Sequence, residues 1–502
     1  MTKKKGIIIA AAVAVVLLAV TLILIFVPKG GQNDEKKGTI DEGVDLTVSV
    51  DKDGIHQAKV NTDEDGNIKN NSYGTLMQYY PANIKLMHIE NTKGTFDVEA
   101  ETPEGEATIY TLKGFEDFDL QAGNPAMIAS AAASLSFTKV ATLDKEKGDE
   151  EFGFDKPRST VTVTYQDSTK AIITVGDDAP QQAGTYIRFG TGDAVYVADT
   201  EIVSAFDYGV TDLISKTINQ PADSAENNEL SELTLSGSGF ADEIVMVPND
   251  DGNYSESFAL TAPVSRLADE KESSLLTGGI RGLFANEVKM VNPSEKQLKD
   301  LGLQPAYAQI TAVYPDETIE LSASKPDADG NVCLMKTGGK VVYVLPAEKA
   351  AWTLTGLDKL CGGYVLNPKL TALSGVTVQA NGKSYDFSLS TEEKTSTDDK
   401  GIETTTVETK ASYGGKQIEI GKFTSFYQSF ALLATADTKA DSGSGKTLLK
   451  LSYSFADGNE ATVEYIDAGG AAAIARVNGE TAGHIAKAEI TRVTDGIAAV
   501  IT

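Results

Sequence analysis

From about residue 47 to the end, the chain alternates apolar and polar residues in short runs. STVTVTY, KAIITVG, AVYVAD, QITAVY, KVVYVL, KSYDFSL, LLKLSYSF and EATVEYI each put side chains of one kind on one face of an extended strand. Turn signals, many of them Asp-Gly or Asn-Gly, separate these runs and predict antiparallel hairpins. Helical spacing is rarer. It predicts helices over NPAMIASAAASLS, EIVSAFDYG, SRLADEKESSLLTGGIRGLF, AEKAAWTLTGLDKL and FTSFYQSFALLATA. The fold class that follows is α+β with strands dominant.

A repeat lies within that alternation. Arg188-Phe-Gly-Thr-Gly-Asp-Ala-Val-Tyr196-Val-Ala-Asp-Thr-Glu201 aligns without gaps on Met335-Lys-Thr-Gly-Gly-Lys-Val-Val-Tyr343-Val-Leu-Pro-Ala-Glu348, 147 residues on. A further 141 residues on, it aligns on Arg476-Val-Asn-Gly-Glu-Thr-Ala-Gly-His484-Ile-Ala-Lys-Ala-Glu489. Each copy reads strand, Gly-containing turn, strand, then a segment led by a glutamate. Upstream, Phe152-Gly-Phe-Asp-Lys-Pro157 and Leu301-Gly-Leu-Gln-Pro305 hold the same place in the first two copies, and both are followed by two alternating strands. The third copy lacks this step and carries the polar insert TEEKTSTDDKGIETTTVETK. Three modules of ordinary domain size are expected: residues 47–222, 223–372 and a divergent 373–502.

The N-terminus departs from this pattern. Behind Lys3, Lys4 and Lys5, the 22 residues from Gly6 to Val27 are uncharged and mainly apolar, enough for a helix to cross a hydrocarbon core of about 30 Å. The run is longer than a cleavable leader and lacks a small-x-small cleavage site, so residues 6–27 are expected to be a transmembrane anchor. Residues 1–5 then form a cytoplasmic tail by the positive-inside rule. Residues 28–46, charged and Gly-rich, form a flexible linker, and the bulk of the chain is extracytoplasmic.

Charge narrows the partners. With 72 acidic against 44 basic residues the formal net charge is −28, which repels nucleic acid and anionic headgroups. Two cysteines, Cys333 and Cys361, make no disulfide scaffold; two buried free thiols is the simpler expectation and one bond the alternative.

The runs IENTKGTFDV, EFGFDKPRSTVTVTY, ITVGDDAPQQAGTYIRF, AVYVAD and YGVTDLISKTI resemble the bacterial family described as domain of unknown function 4340. The resemblance covers residues from about 87 to 218, with a looser second copy over about 231–372. It implies one N-terminal anchor, an extracytoplasmic region and an association with ABC-type transporters of the gliding-motility kind. It brings no catalytic residue.

Short strings that suggest chemistry have plainer readings. Asp441-Ser-Gly-Ser-Gly-Lys-Thr447 looks like a phosphate-binding loop, but Ala440 stands where the first Gly belongs. It also follows a helical pattern and precedes a strand, the reverse of the required order, so a Gly/Ser hairpin or linker and no nucleotide site is expected. Lys336-Thr-Gly338 and Ser136-Phe-Thr-Lys139 match two fragments of a penicillin-binding signature, with Ser136 placed at the end of its helix rather than at the start. Asn61-Thr-Asp-Glu-Asp-Gly66 begins like a calcium loop but has Ser72 where a bidentate Glu is required. His56, His88 and His484 lie in separate strands without metal-ligand spacing. Glu201, Glu348 and Glu489 suit the first turn of a helix electrostatically, and the column Tyr196, Tyr343, His484 suits core packing.

No catalytic, cofactor or metal site is therefore assigned. The expected function is a non-catalytic accessory or scaffold subunit of an ABC-type transport or envelope assembly, with a transporter permease or other envelope protein as partner. A wall-polymer or peptide-binding module is the first alternative, and an envelope hydrolase the second.

Overall fold

The computed structural model describes residues 43–121, 123–144, 149–397, 403–438 and 445–501. The expected tail and anchor, and most of the linker, lie outside the described residues. Among the described residues no helix is long and apolar enough to cross a membrane.

Three antiparallel sheets of eight, nine and eight strands follow one another along the chain, so the fold is strand-dominant α+β. In spatial order the first consists of Ile109–Leu112, Gly94–Glu101, Ile84–Asn91, Ser159–Tyr165, Lys170–Asp178, Thr185–Phe189, Val195–Ala198 and Lys139–Thr142. The second runs Arg266–Leu267, Phe258–Ala262, Ile244–Pro248, Glu232–Ser236, Ala308–Val313, Thr318–Ala323, Asn331–Lys336, Val341–Pro346 and Glu287–Val291. The third runs Lys416–Ile418, Glu403–Tyr413, Lys383–Thr397, Leu373–Ala380, Thr447–Phe455, Glu460–Asp467, Ala472–Val477 and Glu480–Ala486. The two meanders are arranged the same way each time, and in the first two sheets a strand from the crossover, Lys139–Thr142 or Glu287–Val291, adds to the outer edge of the second meander. A meander climbs outward to one edge, the chain crosses back through helical segments, and a second meander starts beside the first strand and climbs to the other edge.

The aligned column keeps its register in the first two modules and slips by one residue in the third, where the pairing is irregular between Ala475 and Arg476 and the aligned Ala475 faces Gly483. Tyr196 faces Ile187 across its hairpin, Tyr343 faces Leu334, and His484 faces Ile474. Both tyrosines are buried, as a strand covered on both faces requires. Val195 and Val342, on the opposite faces, pack beneath a short helix in each of the first two modules. Those helices, Asp149–Phe152 and Glu295–Asp300, end in the same way. Gly153 and Gly302 both have positive φ, and the next residue's N–H reaches back five residues, Phe154 to Asp149 O at 2.8 Å and Leu303 to Leu298 O at 2.9 Å. This is the six-to-one bond of a glycine C-cap, and it explains why both modules carry Gly at this step.

Several helices are shorter than their patterns predict. NPAMIASAAASLS is helical only over Gly123–Ala133; Ser134–Phe137 turns into a strand pairing with Gly74–Gln78, so Ser136 lies opposite Thr75 in a sheet and not on a helix. Leu135 and Phe137 drive the switch, because alternation buries both. Within SRLADEKESSLLTGGIRGLF only Glu270–Thr277 is helical. Asp269 caps it through the Glu272 N–H at 2.9 Å, and Gly278 and Gly279 stop it. The segment after His484 forms the helix Lys487–Ile501, which packs with Ile420–Ala431 against the third sheet. Phe423, Phe426, Tyr427 and Phe430, spaced for one helical face, supply much of that core.

Candidate functional site

The insert TEEKTSTDDKGIETTTVETK, expected as a polar interruption, is mostly strand. Lys383–Thr397 and Glu403–Tyr413 stay paired from Phe387↔Tyr413 out to Thr397↔Glu403. Their other neighbours stop early: Leu373–Ala380 pairs only as far as Ser388, and Lys416–Ile418 only as far as Ala411. The eight pairs from Ser390↔Lys410 to Thr397↔Glu403 therefore form a two-stranded arm with no third strand among the described residues. At about 3.3 Å per residue it reaches roughly 25 Å. β-Branched threonine at Thr391, Thr395 and Thr409 favours the extended backbone, and Lys410 bonds Glu392 across the strands at 2.7 Å. Polarity hid the arm, because neither face has an apolar side to mark the alternation.

A cleft of about 260 Å³ lies where the first two modules meet. Asp117, Asp119, Ser215 and Lys340 surround it, and Tyr343 reaches it from its strand. Lys340 approaches Asp117 at 3.4 Å and lies 5.9 Å from the centre of the Phe118 ring. Burial raises the Tyr343 hydroxyl pKa, and Asp119 adds to the effect. The Lys340 and Asp117 side chains at its mouth are exposed, and the cleft can accommodate a polar loop or small molecule.

The remaining candidates fall into structural places. Glu201 follows the cap residue Asp199, whose carboxylate accepts the Glu201 N–H at 2.9 Å, and Glu348 and Glu489 also stand in first helical turns. The three do not converge. Lys336-Thr-Gly338 forms the hairpin turn between Asn331–Lys336 and Val341–Pro346, with Gly338 at positive φ. Asn61–Gly66 closes on itself, with the Gly66 N–H on Asp63 O at 3.0 Å and the Asp65 N–H on Asp63 Oδ1 at 3.0 Å, so Asp63 serves its own turn. Of DSGSGKT, residues 441–444 lie outside the described residues; Gly445 and Lys446 lead directly into the strand Thr447–Phe455, and Lys446 O accepts the Asp467 N–H at 2.9 Å.

The histidines and cysteines are likewise dispersed. His56 is buried against Tyr79 and Tyr165, contacts Thr169 at 2.9 Å, and has its pKa lowered by that burial. His88 sits between Asp97 at 2.6 Å and Glu90 at 3.1 Å; the Asp97 hydrogen bond first, then that of Glu90, raises its pKa. His484 bonds Asp437 at 2.9 Å. No group of three metal-ligating side chains occurs among the described residues. Both cysteines are free. Cys361 is buried and its thiol pushed up to about 11, whereas Cys333 is only partly buried, less than expected.

The family model described as Domain of unknown function (DUF4340) matches residues 111–288, from the outer strand of the first sheet to the far edge of the second. This is the family read from the sequence, shifted toward the second module. No curated protein and no solved structure matches the chain.

Proposed function

We propose, from the premise that residues 111–288 carry the DUF4340 match, that this chain is a membrane-anchored, extracytoplasmic, non-catalytic scaffold subunit of an ABC-type transport or envelope assembly. The observation that carries the reading is the arm. A two-stranded ribbon gains little stability on its own in water, so eight unsupported pairs beyond a sheet are best accounted for by a partner that covers them. The lysine-led apolar run Gly6–Val27 supports the anchor, and the family resemblance supports a transport partner.

The test is co-purification of the full chain from detergent-solubilised membranes, with identification of any permease or ATPase subunit retained. A second form has residues 391–409 replaced by Asn-Gly, a two-residue turn that closes the ladder at Ser390↔Lys410. Transporter subunits should accompany the full chain and be lost from the shortened one. Absence of any such subunit, or its equal retention by the shortened form, overturns the proposal. The open edges also favour a second reading, capture of an extended peptide by strand addition, which retention of the intact chain on isolated wall material would support.

A further inference from the structure

Two small strand pairs of the first module lie side by side without joining. Leu46–Val50 pairs with His56–Val60, and Gly74–Gln78 pairs with Ser134–Phe137, each as a sheet of two strands. A backbone bond ties them where both begin, the Val44 N–H meeting Tyr73 O at 2.8 Å. Beyond it a cleft of about 390 Å³ opens between the strands, lined by Val48, Ser49 and Val50 on one side and by residues 75–79 on the other.

The alternation of backbone bonds decides what faces the cleft. The Asn61 N–H on Asp45 O and the Asp51 N–H on Ile55 O, both at 2.9 Å, make Asp45, Thr47, Ser49 and Asp51 the residues whose backbone groups face the hairpin partner. The N–H and C=O groups of Leu46, Val48 and Val50 therefore point the other way, on the side from which Val44 reaches Tyr73. Opposite them, the Tyr79 N–H is given to Ala133 O at 2.7 Å, which turns the backbone groups of Gln78 away from Ser134–Phe137 and toward the same cleft. No strand among the described residues meets either edge.

The side chains define what can lie there. Leu46, Val48 and Val50 share a face with Val60, Ala58 and His56, their partners across the hairpin. Val60 and His56 are buried and Leu46 packs on the core, yet Val48 and Val50 are 45% and 46% exposed, because the cleft opens beside them. Thr47 and Ser49 on the other face are exposed, as are Thr75 and Gln78. A strand laid between the two edges thus meets apolar groups on its inner face and water on its outer one. It must also bring two free edges of its own. Every strand among the described residues already pairs on at least one side, so a second copy of the chain supplies such a strand only by losing a pair. The net charge of −28 repels an acidic segment.

We propose that this cleft is a peptide-binding groove, in which an extended, neutral or basic segment of a partner protein, apolar at alternate positions, lies as a strand between Leu46–Val50 and Gly74–Gln78. Backbone bonds to both edges supply the affinity, and the face carrying Val48 and Val50 selects the alternate side chains. The segment joins two strand pairs, each weak alone, into one five-stranded sheet with two strands on either side of it. The groove gives strand addition a place in the first module, and depends neither on the arm nor on a transport partner.

The experiment is fluorescence anisotropy of a short labelled peptide that alternates valine and threonine between terminal lysines, titrated with the full chain in detergent micelles. Saturable binding is expected. Alternate peptide amides point to opposite edges, so N-methylation of either set should weaken binding by about tenfold or more, whereas addition to a single edge tolerates one of them. On binding, hydrogen exchange at Leu46, Val48 and Val50 should slow by about tenfold or more, and at Thr47 and Ser49, already bonded across the hairpin, by less. Val48→Pro removes a cleft-facing N–H and no bond of the hairpin, and should weaken binding by about tenfold in a chain of unchanged circular dichroism. The form with residues 391–409 replaced by Asn-Gly should bind equally well. No binding by the unaltered chain overturns the groove without recourse to any variant. So does binding that tolerates methylation of one set, that leaves Leu46, Val48 and Val50 unprotected, or that is lost with the arm. Protection of those three amides by self-association, without peptide, assigns the cleft to a second copy and overturns it equally.

Discussion

The two junctions between modules are built differently. Between the first and second, residues after one sheet run beside residues before the edge strand of the next: the Ile218 and Asn219 N–H groups meet Leu283 O at 2.9 and 3.2 Å, and the Ala285 N–H meets Lys216 O at 2.8 Å. Apolar side chains follow, and one continuous core extends from Val44 to Cys361. Between the second and third the apolar contact is smaller: Val365 and Leu366, with Tyr254 and Leu267 beside them, pack on the core of the third sheet, and single polar bonds and a ring edge accompany them. Asn253 Nδ2 donates to Asp457 at 2.9 Å, Thr438 donates to Asp358 at 2.8 Å, and Tyr254 meets Phe455 edge to face at 5.7 Å. The third sheet has its own core. The modules are thus joined once by a shared core and once by a smaller apolar contact with polar bonds around it. Burial scales with area, whereas an exchanged hydrogen bond contributes only about 1 kcal/mol, so the first junction should be the stronger.

This difference predicts two unfolding units. Trp352, the single tryptophan, is buried in the shared core and reports the first two modules, while hydrogen exchange over Thr447–Phe455 reports the third. Phe430→Ala should destabilise the third unit by about 3–5 kcal/mol and leave the Trp352 denaturant midpoint in place. An equal shift in both reporters would dissolve the distinction. Leu283→Ala, at the shared junction, should cost about 2–5 kcal/mol and move the Trp352 transition alone. If it leaves the Trp352 midpoint untouched and lets the first two modules separate, their core is not one cooperative unit.

The same comparison separates two residues of DSGSGKT. A Cβ on Gly445 would lie 1.8 Å from Asp467 O, so Gly445→Ala must push apart two segments of the third module, at roughly 1–3 kcal/mol by the usual cost of overpacking. The Lys446 side chain is exposed, and Lys446→Ala should change stability by less than about 0.5 kcal/mol. A phosphate-binding loop would put the functional weight on the lysine. Measurable ATP binding lost in Lys446→Ala would restore that reading.

The legible parts of the fold were those with a half-buried face. Strands such as Ser159–Tyr165 alternate buried and part-exposed residues without a break, and the shared register of Tyr196 and Tyr343 can be counted from the sequence, whereas the irregularity that shifts His484 by one residue cannot. Helical patterns overrun the helices because apolar content continues past the point where strand pairing takes over, as at Ser134–Phe137. The arm was missed for the opposite reason. The cleft between the first two modules left no signal in the sequence, since Asp117 and Lys340 are 223 positions apart and meet only through the fold.

The smallest effect concerns pH. His88 belongs to the first sheet, and its hydrogen bonds to Asp97 and then Glu90 raise its pKa above the ordinary value of 6.5. A histidine whose pKa is higher folded than unfolded contributes stability that is complete below the unfolded value, near pH 6.5, and is lost as pH rises through the folded value. The pair is substantially exposed, so solvent screens it and the contribution stays in the range of a surface ion pair. Replacing His88 with Gln should therefore lower the Trp352 midpoint slightly at pH 6, with the gap closing as the medium becomes alkaline, and should leave exchange over Thr447–Phe455 unchanged at either pH. A gap that widens with pH would reverse the assigned sign. A pH response in the third unit instead would mean that the polar junction transmits what the comparison of cores says it should not.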